Sequence, residues 1–245
     1  LLSQTLNAMA ERIQRLIATQ KELSSAISHE LRTPIARLRF ALEMLADTDV
    51  REERERLWLM MEEDLDELDN LIDSSLTYAR FEREQPELHL ATTDFIPWLQ
   101  EQIDDLRILG GKLELTLDTA SLPLSLRVEL DRKSMPFAVR NLLRNAIKYA
   151  HSRIAVSTEL VEGKIRIHVD DDGIGIPPEE REKVFSAFTR LDRSRDRTTG
   201  GYGLGLAIAR LVLELHGGRA TAHESPLGGA RFTLEWPAQA GRHTP

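Results

Sequence analysis

Ser28-His29-Glu30-Leu31-Arg32-Thr33-Pro34 sits in the middle of a long helical pattern, and its reading decides the fold. A proline inside a helix costs roughly 3 kcal/mol, because the ring removes one backbone hydrogen bond and crowds the carbonyl four residues earlier. The apolar spacing on both sides still asks for helix. Upstream, Leu2, Leu6, Met9, Ile13, Leu16, Gln20, Leu23 and Ile27 alternate spacings of four and three, a coiled-coil or bundle seam with one polar position at Gln20. Leu23, Ile27, Leu31 and Ile35 are then all four apart, before Leu38, Leu42 and Leu45 restore the alternation. Such a phase shift locally unwinds a supercoil. It falls across the quoted stretch. His29 lies off the seam and should face outward. Pro34 removes the amide that would have bonded the Glu30 carbonyl, so a bend is expected at the histidine.

A second helical pattern follows Asp47-Thr48-Asp49, which reads as a turn. Leu57, Met61, Leu65, Leu68, Ile72 and Ala79 would face the first helix, with Glu62, Glu63 and Asp66 outside. Two such helices make an antiparallel hairpin. A hairpin alone leaves an apolar face uncovered, which a dimeric four-helix bundle would bury. Between Leu1 and Phe81 there is no glycine and one proline, whereas all 14 glycines lie beyond Pro86. That shift predicts a domain boundary near residues 82 to 90.

With 245 residues, 41% hydrophobic and 29% charged, the chain can build packed cores. A net charge of −8 argues against general nucleic-acid binding, which needs a basic footprint. The absence of cysteine excludes disulfides and thiolate metal sites. No apolar run reaches the roughly 18 residues of a membrane helix. The opening at Leu1, already in helical pattern, predicts a fragment of a longer protein whose membrane part lies upstream.

The second part reads as a mixed sheet covered by helices, an α+β sandwich. Strands are expected at Lys112–Asp118, Ile154–Val161, Lys164–Asp170, Arg219–His223 and Ala230–Trp236, and helices at Asp94–Leu109, Lys133–Ala150 and Tyr202–His216. Three motifs stand on this frame. Asn141, Asn145 and Lys148 share one side of a helix at spacings of four and three. The two amides are either hydrogen-bonded core residues or, with the lysine one turn on, oxygen ligands for a metal bound to phosphates, since hard cations prefer oxygen. Asp170-Asp171-Asp172-Gly173-Ile174-Gly175 follows a strand; a carboxylate there can accept from an exocyclic amine, and the glycines let backbone approach a flat ligand. Gly200-Gly201-Tyr202-Gly203-Leu204-Gly205 opens a helix whose free amides and positive dipole end suit phosphate. It lacks the lysine and hydroxyl residue of a P-loop. Arg190, Arg193, Arg195 and Arg197 precede it in a segment expected to be a mobile lid.

In order, SHELRTP, NLLRNAIKYA, DDDGIGIP, FSAFTRLD and GGYGLGLAIAR resemble the successive boxes of bacterial sensor histidine kinases, from about Leu16 to Trp236. The wording is nearest RstB-type sensors, and Leu1–Arg15 is similar to the last helix of a HAMP signalling module. The resemblance implies a HAMP end and linker at 1–17, a dimerisation and phosphotransfer hairpin at 18–85, a linker at 86–90, an ATP-binding domain at 91–238 and a tail at 239–245. That domain would have the histidine kinase, gyrase and Hsp90 fold. His29 would be the phosphoacceptor, Glu30 its general base, and Thr33 the residue orienting water for phosphatase activity. Asn145, assisted by Asn141, would hold Mg²⁺. Lys148 would contact phosphate, Tyr149 the adenine ring and Asp171 the adenine amine. Gly173 and Gly175 would shape the base pocket. Gly201, Gly203, Leu204 and Gly205 would cradle the phosphates of ATP, with Arg190 at the lid. The implied partners are a second copy of the chain and a response regulator, RstA-like within that subfamily. The implied place is the cytoplasmic side of a bacterial inner membrane.

Tyr202 departs from the threonine common in the family. Gyrase-type and Hsp90-type hydrolases carry a water-activating glutamate where this chain has Asn141. An amide has no comparable basicity, so transfer to a protein nucleophile is favoured over hydrolysis. The alternative from another class is a non-catalytic coiled-coil scaffold with a degenerate ATP domain.

Overall fold

The computed structural model describes residues 2–83, 86–107, 110–190 and 201–239. The chain divides into two compact units between Leu76 and Thr77.

The first unit is a helical hairpin. Helix α1 spans Leu2–Asp47 without interruption and carries Pro34 inside it. Pro34 is itself buried, so apolar burial of its ring offsets part of the lost hydrogen bond. Helix α2 begins at Arg51 and ends at Arg83. Side chains pin the connection: the Thr48 hydroxyl donates to the Glu53 carboxylate at 2.6 Å and accepts from the Val50 amide at 3.3 Å. Arg54 donates to the carbonyls of Leu45 and Thr48, both at 3.4 Å, satisfying acceptors at the open end of α1.

Ala41, Leu57 and Met61 form the buried centre, flanked by Leu38, Met44 and Leu45. Along α2 the inward positions are Leu57, Met61, Asp64, Leu71 and Ser75. Four expected seam residues do not face inward. Ile35, Leu42, Leu65 and Ile72 are exposed, and Pro34, Ala41 and Leu71 take the interior instead. Each helix carries two apolar stripes one residue apart, about 100° around the axis, and periodicity alone cannot say which one meets the partner helix. One interior position is ionic. The Asp64 carboxylate, 4% exposed, takes the Arg37 guanidinium at 2.6 Å, and Arg37 also pairs with Glu67.

The second unit begins in the last turns of α2, where Phe81 packs edge-on against Phe137 with centroids 5.8 Å apart. Its elements are β1 (Leu90–Asp94), α3 (Phe95–Arg107), β2 (Glu114–Asp118), β3 (Arg127–Asp131), α4 (Met135–Tyr149), β4 (Arg153–Val161), β5 (Lys164–Asp171), α5 (Gly205–Leu215), β6 (Arg219–Glu224) and β7 (Ala230–Pro237). Five strands run in the order β2-β4-β5-β7-β6, with only β2 and β4 parallel. Helices α4 and α5 pack on each other, α4 also on β5 and β7 and α5 on β6 and β7. Inward side chains pair across strands, Ile165 with Trp236, Ile167 with Leu234 and Val169 with Phe232, and all are buried. The opposite face is a polar ladder. Arg231 holds Asp170 through two 2.9 Å bonds, Arg166 bridges Glu159 and Glu235, and His168 meets Thr233 at 2.8 Å.

The expected sandwich is observed, with one addition. β1 and β3 form a separate two-stranded sheet in which Leu90 pairs with Asp131 and Asp94 with Arg127. Asp94, expected to open a helix, ends a strand instead. Both strands are five residues long, too short for an alternation to stand out. The other expected elements are present with ends shifted by one to three residues, and Leu109 lies outside the described residues.

Candidate functional site

In the hairpin, His29 is 78% exposed and points away from the interior, as its position off the seam requires. The Glu30 carboxylate, 31% exposed, stands 3.8 Å from His29 Nδ1. A negative charge on that side favours a proton on Nδ1 and leaves Nε2 as the free nucleophilic nitrogen. Thr33 follows one turn later and is half-buried.

The second unit gathers its candidate residues around the C-terminal end of β5. Asp171 is 1% exposed. Its Oδ1 accepts from the Gly173 amide at 2.9 Å and the Ala230 amide at 3.0 Å, while Oδ2 is buried without a protein partner. An orphaned buried carboxylate oxygen is costly unless a ligand donor meets it. Burial pushes the Asp171 carboxyl up, with the two amide bonds opposing and the charges of Asp172 and Asp170 adding to the rise.

Backbone crowds this carboxylate from two sides. A Cβ on Gly173 would stand 2.2 Å from the Tyr149 carbonyl oxygen, and one on Gly229 would stand 2.3 Å from Asp171 Oδ1. Gly175 takes φ +67 beside Gly229. Gly229 escaped the sequence reading. Its only signal is the pair Gly228-Gly229 before β7, which reads as an ordinary hairpin turn.

The glycine turn before α5 lies against the amide face of α4. A Cβ on Gly205 would come 2.7 Å from Asn141 Oδ1, and one on Gly201 would come 3.1 Å from Lys148 Nζ. Asn141 spends its NH₂ on the Phe137 carbonyl at 2.8 Å, which leaves Oδ1 turned toward the glycine turn. Asn145, one turn on and half-buried, makes no side-chain hydrogen bond among the described residues. Lys148 Nζ lies 4.7 Å from the centre of the half-buried Tyr149 ring. Gly203, with φ +72, abuts Thr189, and its carbonyl accepts the Phe188 amide at 3.0 Å. Leu204 is buried and precedes α5, whose first turn has no side-chain cap. Its leading amides are therefore available to an anion. Tyr202 is buried, and Arg190 is half-buried at the end of its described segment. Arg193, Arg195, Arg197 and Gly200 lie outside the described residues.

These residues fit a nucleotide. A buried acceptor awaits an amine, glycines admit a flat ring close to backbone, and amide oxygens, an ammonium and free helix amides share one rim. The family models agree: one described as histidine kinase-, DNA gyrase B- and HSP90-like ATPase matches residues 131–240, and the His Kinase A (phospho-acceptor) domain matches residues 19–84. The chain belongs to the sensor histidine kinases. Sensor protein RstB of Escherichia coli (strain K12) is 42% identical to this chain over 231 residues, covering 94% of this chain and 52% of that protein. The chain thus spans about half the length of the curated relatives it matches. Among solved structures, the Acinetobacter baumannii histidine kinase AdeS superposes with a TM-score of 0.63 at 25% identity, covering 86% of this chain and 98% of that one. Full-length ShkA in complex with AMPPNP gives a TM-score of 0.64 at 27% identity, covering 90% of this chain and 46% of that one.

Proposed function

We propose that this chain is the phosphotransfer portion of a two-component sensor, in which His29 takes the γ-phosphoryl group of ATP and passes it to an aspartate of a response regulator. His29 Nε2 attacks the γ-phosphorus as the bond to the β-bridging oxygen breaks, and ADP departs. The attack places positive charge on the imidazole. Glu30, beside Nδ1, stabilises that charge and accepts the Nδ1 proton. Asn145 and Asn141 hold Mg²⁺, which neutralises phosphate charge when bound. Lys148 and the amides around Gly201, Gly203, Leu204 and Gly205 hold phosphate, with Arg190 at the same rim. Tyr149 lies along the base, Gly173 and Gly175 admit it, and Asp171 Oδ2 accepts its amine. Thr33 orients water for removal of phosphate from the regulator.

One observation carries the reading: an exposed histidine with a carboxylate at its Nδ1, in a chain whose nucleotide cradle has Asn141 where a hydrolase needs a carboxylate. In the domain assignment that follows, 1–17 ends a HAMP module and linker. Residues 18–85 are the dimerisation and phosphotransfer hairpin, 86–90 a linker, 91–238 the catalytic domain and 239–245 a tail. Homodimerisation is supported by the exposed stripe of Ile35, Leu42, Trp58, Leu65, Ile72 and Leu76. By likeness to RstB the regulator is RstA-like, and the chain works on the cytoplasmic side of an inner membrane, tethered by an upstream part. Among the described residues no helix is long and apolar enough to cross a membrane.

Incubation with γ-labelled ATP and Mg²⁺ tests the proposal. Acid-labile, base-stable label is expected on the wild type and not on His29→Gln. Nucleotide binding without any label would instead make the fragment a scaffold or a phosphatase-locked form, which added phosphorylated regulator separates.

A further inference from the structure

Asp172 follows Asp171 and has no place in the reading above, yet it is the most heavily hydrogen-bonded carboxylate near the cradle. Its Oδ1 accepts the His151 amide at 2.8 Å and the Ser152 amide at 3.0 Å, and its Oδ2 accepts the Ser152 hydroxyl at 2.6 Å. The bond returns in the other direction, because His151 Nδ1 lies 2.8 Å from the Asp172 carbonyl oxygen and donates to it when protonated. All these partners lie in the short link from α4 to β4, directly after Tyr149. On the same edge, Gly173 is pressed against the Tyr149 carbonyl so closely that no side chain fits between them.

The nucleotide loop is thus held from two directions. Gly229 and Ala230 hold it from the β6–β7 turn, through Gly229 N–H to the Asp171 carbonyl at 3.2 Å and Ala230 N–H to Asp171 Oδ1 at 3.0 Å. Asp172 holds it from the α4–β4 side. Both holds act on the residues that flank or contain the Asp171 carboxylate, whose Oδ2 is left without a protein partner. Asp172 is only half-buried, and its bonds with Ser152 come first in keeping its carboxyl far below the usual carboxylate range. It therefore stays an acceptor-only clamp throughout neutral and mildly acidic conditions.

We propose that Asp172 is a positioning residue for base selection: through His151 and Ser152 it fixes the end of α4 against the nucleotide loop, so that Asp171 Oδ2 meets an exocyclic amine. The assignment rests on the reading of Asp171 as the amine acceptor. A 6-amino purine nucleotide then gains from the clamp, whereas a 6-oxo purine, which offers an acceptor to an acceptor, has nothing there to lose.

The experiment measures Kd for Mg²⁺-ADP and Mg²⁺-IDP by titration calorimetry on the whole chain. The wild type is expected to prefer ADP, and Asp171→Asn to lose that preference. Asp172→Ala is expected to weaken ADP by about tenfold or more, the size of one lost charge-assisted hydrogen bond, and IDP by much less, so the ADP/IDP ratio falls. Asp172→Asn should largely restore the ratio, since its carbonyl can accept both amides while its NH₂ donates to the Ser152 hydroxyl. Should Asp172→Ala fail to fold, Ser152→Ala removes one arm of the clamp and should lower the ratio in the same direction. Equal weakening of both nucleotides, or an unchanged ratio, would make Asp172 a purely structural residue and overturn the proposal. A wild type without preference, or an Asp171→Asn variant that keeps it, would overturn the Asp171 reading itself and the Asp172 assignment with it.

Discussion

Gly229 shows how much of a nucleotide site can rest on one missing methyl group. Its Cα lies where any Cβ would enter the space of Asp171 Oδ1, the Gly173 amide and the Asp171 carbonyl, all within 2.5 Å. Two of these are backbone atoms and the carboxylate oxygen is held by the Gly173 and Ala230 amides, so Gly229→Ala must break those bonds or open the β6–β7 turn. Nucleotide binding is expected to fall at least tenfold, while the helical content seen by circular dichroism persists. Gly228→Ala, whose Cβ would meet nothing within 4 Å, is the neighbouring control, limited only by its φ of +99. Equal binding in wild type and Gly229→Ala would show that the turn relaxes freely. At this scale the sequence was only half legible. Asp171, Gly173, Asn141 and Lys148 stood out by motif, and the structure brings them to one rim. Gly229 and Asp172 matter through atoms distant in sequence, which spacing does not encode.

In α1 and α2 the informative features are the two that oppose an ideal hairpin. Pro34 forfeits a hydrogen bond within a 46-residue helix five residues after His29. Replacing it with alanine should stiffen that turn and shift the ratio of autophosphorylation to phosphatase activity. An unchanged ratio in paired assays would remove Pro34 from the signalling path. The Arg37–Asp64–Glu67 group puts a buried carboxylate in a mainly apolar interior, and ion pairs of this kind add little net stability while the loss of one partner is costly. Arg37→Ala strands Asp64 in the interior and should cost about 3 kcal/mol or more. Asp64→Ala leaves Arg37 with Glu67 and solvent, so it should cost about 1 kcal/mol. The double change Arg37→Met with Asp64→Leu should melt no lower than the wild type. Denaturant titration of the three variants reads the asymmetry, and equal losses would contradict it. The exposed stripe through Leu65 and Ile72 makes a separate prediction. Leu65→Asp with Ile72→Asp should convert a dimer to a monomer by light scattering with little loss of monomer helicity.

Across the second unit, two histidines couple the fold to pH. His216 is buried, its Nε2 accepts the Asp131 amide at 3.1 Å, and its Nδ1 lies 2.8 Å from the Val212 carbonyl oxygen. Only a neutral ring with its proton on Nδ1 satisfies both. Burial pushes His216 below the ordinary value of 6.5 despite the Val212 bond and the Asp131 charge. His168 is also lowered, first by burial and then by the charge of Arg231, with Glu159 opposing. The unfolded chain binds these protons near pH 6.5 and the folded chain binds them only at lower pH. Their contribution is therefore complete above about pH 6.5 and is lost as pH falls through that value toward the lowered one. Asp131, Glu159 and Glu235 have carboxyls held below their usual range, so their contribution fades only in stronger acid. The melting temperature should fall between pH 7.5 and 5.5, and the double variant His168→Asn with His216→Gln should fall less. Parallel curves would remove both histidines as the cause.

Read alone, the sequence determined the division into a glycine-free helical part and a glycine-rich mixed part, the outward place of His29, the strand and helix order of the large sheet, and the boxes that mark the family. These depend on local rules: period, proline and glycine placement, and short motifs whose residues act within a turn or two. The tertiary structure alone decided which of two apolar stripes closes the hairpin, that β1 and β3, with α3 and β2 between them in the chain, pair antiparallel as a second sheet, and that Gly229 and Asp172 hold Asp171 in place. Each of those choices is a competition between long-range contacts of similar local merit, and only the packing of the whole unit breaks the tie.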